Sequence, residues 1–388
     1  MSAILKANWN YPTTVWAGPG RIAELPAACA RVGIARPLLV TDEGLRDAPM
    51  VRRVRELVPA AGLFARVRGN PVAANIEAGL AAYRAGGHDG VIAFGGGSAL
   101  DAGKVIAFMS GQTRPLWDFE DIGDWWTRAD PRGIAPVIAV PTTAGTGSEV
   151  GRAGVVVNEA THQKKIIFHP QMMPAVVISD PELTVGLPPA ITAATGMDAF
   201  VHCFEAYCAP GFHPLADGIA LEGMRLIHTY LPRAFDQGTD LEARSRMLAA
   251  ASMGATAFQK GLGAVHAIAH PVGAHFNTHH GLTNAVLLPY VIAYNRPAIE
   301  PQLEVIARAL DLAGEPYAAV FEWVLGFRRR LNIPHTLAEI GVPATRAELI
   351  GQEASLDPSA AGNPRPADAA AYARLFRSAV KGDLGLAG

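Results

Sequence analysis

Short apolar runs alternate with amphipathic segments through the first hundred residues of the chain. Three runs have the length and β-branched content of buried strands, at residues 37–40, 63–67 and 90–94, and residues 11–16 form a shorter one. The segments between them carry apolar residues at helical spacing, at residues 21–33, 50–61 and 75–86. This alternation of strand and helix predicts a parallel sheet that is covered by helices on both faces.

The pattern changes in the second half of the chain. Further strand-like runs occupy residues 134–140, 155–157, 164–168 and 175–179, and the acidic, tryptophan-rich residues 116–132 are typical of a surface excursion. From about Ala190 onward the alternation gives way to long helical patterns, at residues 191–209, 215–230, 241–259 and 366–380. We therefore predict an α/β domain over residues 1–186 and an all-helical domain over residues 187–388.

Composition narrows the class of protein. Of the 388 residues, 50% are hydrophobic and 18% are charged, which is enough apolar material for large cores. The net charge of −2 gives no reason to expect nucleic acid or an anionic membrane surface as a partner. The three cysteines, Cys29, Cys203 and Cys208, fit a reducing compartment better than a disulfide scaffold. Because no uncharged apolar run could span a bilayer, we expect a soluble, cytoplasmic protein.

A glycine-rich turn (GGGS, residues 95–98) follows the strand at residues 90–94 and leads into a helix. Such a turn lets backbone N–H groups at a helix N-terminus approach phosphate oxygens, although it also occurs for close packing alone. The spacing is neither GxGxxG nor that of a Walker loop. Asp42 follows an earlier strand, where a carboxylate can accept hydrogen bonds from an adenosine ribose and repel a 2′-phosphate. This combination favours NAD over NADP. The alternative interpretation is that Asp42 is a solvated turn residue.

A second polar segment follows the strand at residues 134–140. Residues 141–150 (PTTAGTGSEV) place hydroxyl groups and glycines at the end of that strand. Open α/β sheets bind ligands outside the carboxyl ends of their strands, so two such segments at one edge predict a ligand site. An ordinary turn rich in Ser, Thr and Gly is the alternative.

Histidines are concentrated in residues 261–281 (GLGAVHAIAHPVGAHFNTHHG), which hold five of the twelve in the chain. His266 and His270 are four residues apart and share a face of a helix that Pro271 is expected to disturb. Imidazole is the commonest metal ligand in proteins, so this density indicates a metal site.

An upstream segment offers further ligands. Asp198 and His202 are also four residues apart, on a helix that Thr195 could cap. A carboxylate and an imidazole from this helix, with two imidazoles from the later segment, form a set that suits Fe(II) or Zn(II) better than Mg²⁺ or Ca²⁺. Spacing leaves the second pair open, because His275 and His279 are four residues apart as well. Buried helix histidines bonded to backbone carbonyls are the alternative, which the density of the two segments disfavours.

Taken together, these motifs resemble the iron-containing (group III) alcohol dehydrogenase family. The resemblance extends over the whole chain and is carried by YPTTVWAGPG, GGGSALDAGK, PTTAGTGSEV, ATGMDAFVH, the histidine segment and GNPR near the end. It implies an N-terminal α/β dinucleotide-binding domain and an all-α metal-binding domain, in a dehydroquinate synthase-like architecture. It also implies a homodimer or a higher homo-oligomer.

The resemblance further implies roles for individual residues. One metal ion, Fe(II) with Zn(II) as the alternative, would be bound by Asp198, His202, His266 and His280. His270 would lie close to the nicotinamide without ligating the metal; our own hypothesis makes it the catalytic residue that relays a proton. The NAD contacts of the family correspond here to Asp42, Asn70, Gly96, Gly97, Ser98, Asp101, Thr142, Thr143, Thr146, Ser148, Lys164 and Leu183, among which Lys164 has Lys165 as a neighbouring alternative.

The implied activity is hydride transfer between a primary alcohol or hydroxy acid and NAD. Members of the family often have threonine directly after the GSEV element, whereas this chain has Gly151 followed by Arg152. Arg152 could anchor a substrate carboxylate, which would favour a hydroxy acid such as 4-hydroxybutyrate. An arginine that faces solvent is an equal alternative. The competing functions are a zinc-dependent polyol dehydrogenase of the glycerol dehydrogenase type, a dehydroquinate-synthase-like lyase, a metal-free reductase of the maleylacetate type and a non-enzymatic metal-binding protein.

Overall fold

A six-stranded parallel sheet forms the centre of the first of two compact units in this computed structural model. The structure describes residues 13–161 and 163–385. The strands are β1 (Thr14–Ala17), β2 (Pro37–Asp42), β3 (Gly62–Val67), β4 (Gly90–Gly95), β5 (Val137–Pro141), β6 (Ala153–Asn158), β7 (Gln163–Phe168) and β8 (Val176–Ser179). The sheet has the order β1-β8-β5-β4-β2-β3, and every neighbouring pair in it is parallel. The predicted α/β class is confirmed; residues 11 and 12 of the first predicted strand lie outside the described residues.

Both faces of the sheet are covered by helices, as the alternating pattern predicted. The helices are α1 (Leu25–Arg31), α2 (Pro49–Leu57), α3 (Ala73–Ala85) and α4 (Gly97–Met109). On one face, Phe94 and Val140 pack with Leu25 of α1 and Val54 of α2 in one buried cluster. On the other face α4 lies so close to β4 that a Cβ at Gly103 would be 2.6 Å from Cβ of Ala93, which explains the glycine.

Strands β6 and β7 form a separate antiparallel hairpin instead of joining the main sheet. The apolar pattern predicted both strands but not their pairing. Lys104 of α4, which is almost fully buried, ties the hairpin to the sheet, since its Nζ donates to the carbonyls of Ser148 (2.9 Å) and Ala153. Residues 116–132 fold as three short 3₁₀ turns beside the hairpin, where Asp121 N–H donates to the carbonyl of Ile166 at 2.8 Å.

The second compact unit begins at Leu187 and is built from α-helices among the residues that the structure describes. The helices are α5 (Pro189–Cys208), α6 (Pro214–Asp236), α7 (Leu241–Ala257), α8 (Ala264–Phe276), α9 (His280–Ala309), α10 (Pro316–Arg330), α11 (Ala347–Leu356) and α12 (Ala369–Lys381). Helix α5 is buried along most of its length and packs against α6, α7 and α9. The helical class predicted for this half is confirmed.

One local prediction in this unit is wrong. Thr195 does not cap α5, because the helix begins at Pro189, a residue type favoured in a first turn, and the Thr195 hydroxyl donates to the carbonyl of Ile191 at 2.8 Å. Pro271, which is expected to disturb α8, lies inside this helix, which continues to Phe276. A proline inside a helix costs about 3 kcal/mol, and the burial of nearly every side chain around it from Ala264 to Gly273 outweighs that local penalty.

Within the described part of the chain, the helices are too short or too polar to cross a bilayer.

Candidate functional site

Four side chains that can bind a cation converge in the helical unit. Asp198 and His202 project from one face of α5, His266 from the first turn of α8, and His280 is the first residue of α9. One potential ligand atom of each lies within 4.8 Å of those of the other three. The structure thus brings together the four residues that the resemblance implied.

The environment of this cluster suits a cation. Asp198, His202 and His266 are at most 3% exposed, and a carboxylate so far from water costs several kcal/mol unless a positive group compensates it. The rings of His202 and His266 stack with centroids 4.7 Å apart. Three neutral imidazoles and one carboxylate form a donor set that fits Fe(II) or Zn(II).

Glu205, which the sequence patterns did not single out, contacts one of the four. Its Oε2 accepts a hydrogen bond from Nδ1 of His266 at 2.7 Å. Burial lowers the pKa of His266, but the hydrogen bond and charge of Glu205, together with the charges of Asp198 and Asp357, outweigh this effect and leave the pKa raised. Glu205 lies three residues after His202 on the same helix, but this spacing does not identify His266 as its partner.

Asn284 is a second residue that the sequence analysis missed. Its Nδ2 donates to Oδ1 of Asp198 at 2.7 Å and lies 3.1 Å from Nε2 of both His266 and His280. The side chain is fully buried one helical turn after His280, which is why it faces the same point. Asn284 therefore contacts three of the four converging side chains.

His270 lies beside the cluster without belonging to it. Its ring is nearly parallel to that of His280, with centroids 5.5 Å apart, and its Nδ1 is 2.8 Å from Oδ2 of Asp357. Burial raises the pKa of Asp357, but the charge and hydrogen bond of His270, together with the hydrogen bonds from Ser359, outweigh it and leave the pKa lowered. With Nδ1 engaged by Asp357, the other ring nitrogen of His270 is the one that can exchange a proton.

The alternative pair, His275 and His279, lies outside the cluster. Nε2 of His275 is 2.8 Å from a carboxylate oxygen of Glu353. His279 caps α9, where its Nδ1 accepts from the N–H of Leu282 at 3.3 Å. Between them the backbone of Asn277 is left-handed (φ 51°), which ends α8 and separates the directions of the two histidines.

The GNPR motif near the end of the chain supports the same region. Oδ1 of Asn363 accepts the N–H of Ala264 at 3.1 Å, in the first turn of α8. The same side chain exchanges two hydrogen bonds with Asn295 of α9. Asn363 therefore fixes the start of the helix that carries His266.

In the α/β unit, the two polar segments meet at one edge of the sheet. A Cβ at Gly97 would lie 2.4 Å from Oγ1 of Thr146, and one at Gly96 would lie 3.3 Å from Cγ2 of Thr143. Helix α4 begins here, so its free N–H groups point toward this edge. The absence of side chains at the two glycines leaves a backbone cradle of the kind that phosphate groups occupy.

Three further predicted contacts lie at the same edge. The N–H of Thr142 donates to the carbonyl of Gly95 at 2.9 Å. The N–H of Asn70, whose backbone is left-handed (φ 55°), donates to Oγ of Ser98 at 3.3 Å. Loops after three strands thus place these side chains together.

Asp42 lies beside the glycine turn: a Cβ at Gly95 would be 3.2 Å from Oδ2 of Asp42. Oδ1 of Asp42 accepts the N–H of Leu45 at 3.0 Å, which caps a short 3₁₀ turn. Burial raises the pKa of the carboxyl group above its ordinary value, although the hydrogen bonds from Leu45 and Gly44 act in the opposite direction.

Asp101 and Ser148 bind to each other in the structure. The Ser148 hydroxyl donates to Oδ1 of Asp101, whose Oδ2 accepts the N–H of Val155 at 3.1 Å. Nζ of Lys104 is 3.5 Å from the same carboxylate. These contacts give Asp101 a structural task, joining α4 to the second polar segment and to the hairpin.

The remaining predicted residues have other contacts in the described structure. Lys164 is on β7, opposite Val157, while Lys165 forms an ion pair with Glu120 at 3.2 Å. Leu183 is buried in the apolar cluster of the sheet. The guanidinium group of Arg152 lies 5.4 Å from the centre of the Phe168 ring.

Comparisons with known proteins identify the same family over most of both units. The family model "Iron-containing alcohol dehydrogenase" matches residues 12–181, and the model of the C-terminal part of the same family matches residues 192–380. The chain is 37% identical to 4-hydroxybutyrate dehydrogenase of Cupriavidus necator, with 95% of this chain and 99% of the relative covered. It is 33% identical to NAD-dependent methanol dehydrogenase of Bacillus methanolicus, with 96% and 100% covered. A solved 1,3-propanediol oxidoreductase superimposes with a TM-score of 0.91 at 34% identity, with 96% and 100% covered.

Proposed function

The chain belongs to the iron-containing alcohol dehydrogenase family and is an NAD-dependent alcohol dehydrogenase, and we propose that Asp198, His202, His266 and His280 hold its metal ion. The observation that carries the proposal is the convergence of these four side chains within 4.8 Å of one another. Fe(II) is the proposed ion, with Zn(II) as the alternative that the same donor set accepts.

The cation, when bound, supplies Lewis acidity toward the oxygen of the alcohol or aldehyde, and NAD exchanges hydride with the adjacent carbon. The chain contributes one negative charge to the ligand set, from Asp198, and three neutral imidazoles. This leaves a divalent ion with net positive charge for polarising the substrate. The pair of Asp198 and His202 also argues against the metal-free reductase considered above, which was expected to lack it.

His270 is proposed to move the proton of the alcohol through Nε2, because Asp357 holds Nδ1. We expect His270→Ala to lower kcat by about a hundredfold, the lower end of what a general acid–base contributes, and to flatten the pH profile of kcat. Its metal content should equal that of the wild type, since His270 is outside the ligand set. Elemental analysis beside steady-state kinetics checks this, and an unchanged rate and pH profile would remove His270 from the mechanism.

Asp42 is proposed to select NAD over NADP. Asp42→Ser removes the charge that would face a 2′-phosphate but keeps an oxygen that can accept the N–H of Leu45. Like charges in contact cost several kcal/mol, so we expect kcat/KM for NADP to rise by about tenfold to a hundredfold relative to that for NAD. Parallel assays with the two cofactors give this ratio, and an unchanged ratio would contradict the role.

The same variant has an expected effect on stability. A carboxyl group whose pKa is higher in the folded chain than in the unfolded chain destabilises the fold at pH values above both, and the penalty disappears as pH falls below them. The urea midpoint of Asp42→Ser minus that of the wild type should therefore be larger at pH 7 than in acid. A difference that does not change with pH would contradict the raised pKa.

The proposed substrate is a primary alcohol or an ω-hydroxy acid. Similarity to a 4-hydroxybutyrate dehydrogenase supports the hydroxy acid, and Arg152 is the candidate anchor for its carboxylate. A panel of methanol, 1,3-propanediol, 1,4-butanediol and 4-hydroxybutyrate with NAD tests this on protein refilled with Fe(II) or Zn(II). Preference for 4-hydroxybutyrate over 1,4-butanediol supports the carboxylate anchor, the reverse order supports a diol enzyme, and no activity with any of them contradicts the proposal.

We further propose a homo-oligomer in the cytoplasm. Among the residues that the structure describes, strand β1 lies at the edge of the sheet, so its outer backbone groups could pair with a second copy. The three cysteines are free and buried, and burial raises the pKa of Cys29 to about 11, which suits inert thiols in a reducing compartment. Sedimentation analysis tests the assembly, for which a monomer would be the contrary result.

A further inference from the structure

Glu205 links the two helices that supply most of the converging side chains. It lies on α5, seven residues after Asp198 and three after His202, and it is 5% exposed. Its two carboxylate oxygens have different partners on α8. Oε2 accepts from Nδ1 of His266 at 2.7 Å, and Oε1 accepts from the backbone N–H of Val265, also at 2.7 Å.

The contact with His266 determines which ring nitrogen can bind a cation. An ionised carboxylate only accepts hydrogen bonds, so Nδ1 carries the proton of the neutral imidazole, and Nε2 of that neutral ring keeps its lone pair. Nε2 is the atom that faces the cluster, since it lies 3.1 Å from Nδ2 of Asn284. We propose that Glu205 is a positioning residue of the metal centre, which sets the tautomer and the ring orientation of His266; this inference rests on the metal set proposed above.

The contact with Val265 fixes the helix that carries this ligand. Val265 is in the first turn of α8, where backbone N–H groups have no partner within the helix. The residue before the helix is Gly263, and a Cβ there would lie 3.0 Å from both Oε1 of Glu205 and Oδ1 of Asn363. Glycine at this position thus allows two side chains to approach the start of α8.

These two tasks need both acceptor oxygens. Glutamine has the size of glutamate but only one acceptor oxygen, and its NH₂ group donates. In Glu205→Gln, the amide oxygen can still accept the hydrogen bond from the N–H of Val265. The NH₂ group then faces Nδ1 of His266 as a donor, which moves the imidazole proton to Nε2 and blocks that ligand atom. If the amide oxygen instead accepts from Nδ1 of His266, the NH₂ group faces the N–H of Val265, and two donors oppose each other.

Asn363→Ala is the matched control. It removes the hydrogen bond to Ala264, the residue next to Val265, without contacting any of the four proposed ligands. A role of Glu205 limited to holding the start of α8 would therefore be reproduced by Asn363→Ala. Control of the tautomer would not.

The test measures metal binding by the full-length chain, separately from activity. Each variant is stripped with a chelator, and its Zn(II) dissociation constant is obtained by competition with a chromogenic chelator. Mutating residues that orient metal ligands typically weakens metal binding about tenfold to a hundredfold, so we expect that loss for Glu205→Gln and a clearly smaller one for Asn363→Ala. The d–d spectrum of the Co(II) form should change in Glu205→Gln and match the wild type in Asn363→Ala.

Equal Zn(II) affinity in Glu205→Gln and wild type would overturn the inference, as would an equal loss in both variants. Failure of the wild type to bind Zn(II) would instead overturn the proposed metal set. Where Glu205→Gln does not fold, Glu205→Asp keeps both acceptor oxygens at shorter reach and should weaken binding; wild-type affinity in that variant counts against the inference.

Discussion

Asp198→Asn is expected to lower kcat/KM by about a thousandfold or more, because the Lewis acidity of a bound cation is worth several kcal/mol in the transition state and each 1.4 kcal/mol is a factor of ten. The substitution keeps the volume of the side chain. It also keeps an oxygen that can accept the hydrogen bond from Nδ2 of Asn284, which is 2.7 Å long in the native chain. What it removes is the single negative charge of the proposed ligand set. We therefore expect loss of the metal as well as of turnover.

His275→Ala is the matched control for that experiment. His275 is on the same helix as His266, but it contacts Glu353 and Arg346 instead of the cluster. We expect it to retain its metal and its turnover, so that the effect of Asp198→Asn cannot be attributed to the loss of any polar side chain in this region. Elemental analysis and steady-state kinetics on both variants test whether Asp198 is a metal ligand. Wild-type metal content together with a wild-type rate in Asp198→Asn would contradict that role.

Gly97→Ala should raise the KM for NAD strongly. The new Cβ would lie 2.4 Å from Oγ1 and 2.9 Å from Cβ of Thr146, so a change of the threonine rotamer cannot relieve the overlap and the backbone must shift. Both the start of α4 and the loop that carries Thr146 are proposed to contact the cofactor. Because a misplacement of about 1 Å can cost about a hundredfold, we expect a loss of that order in kcat/KM for NAD.

Gly103→Ala separates this effect from a general loss of packing. It also adds a methyl group to α4, which would lie 2.6 Å from Cβ of Ala93 in the core. Overpacking of this kind typically costs about 1–3 kcal/mol of unfolding free energy, so its urea midpoint should fall while the KM for NAD stays that of the wild type. A wild-type KM for NAD in Gly97→Ala would show that the glycine turn does not hold the cofactor.

The alternation of apolar and polar residues was sufficient to predict the two architectures. Fully buried strands such as β4 and β5 appear as continuous apolar runs, and buried helices have small residues at helical spacing. The separate hairpin of β6 and β7 was not predicted, because a strand pattern does not contain the identity of its partner. The cap assigned to Thr195 was wrong, because α5 already begins at Pro189.

The candidate metal site was only partly within reach of sequence patterns. Spacing identified Asp198 with His202, but it could not choose His280 over His275 or His279. That choice depends on the left-handed backbone of Asn277, which redirects the chain between α8 and α9. The resemblance supplied His280, and the geometry of the cluster agrees with it.

The supporting residues of the site were beyond those patterns. Glu205 and His266 are 61 residues apart, Asn284 and Asp198 are 86 apart, and Asp357 and His270 are 87 apart. Each contact joins residues of different elements, so it arises only when those elements pack together. A lone glutamate, asparagine or aspartate in a helical pattern carries no local sign of such a partner.

Turnover of the metal-stripped enzyme tests the central claim most directly. The chain, treated with a chelator and assayed with NAD and a primary alcohol, should be inactive, and activity should return in proportion to added Fe(II) or Zn(II) up to one ion per chain. Undiminished turnover from protein without metal would contradict a catalytic cation held by Asp198 and the three histidines.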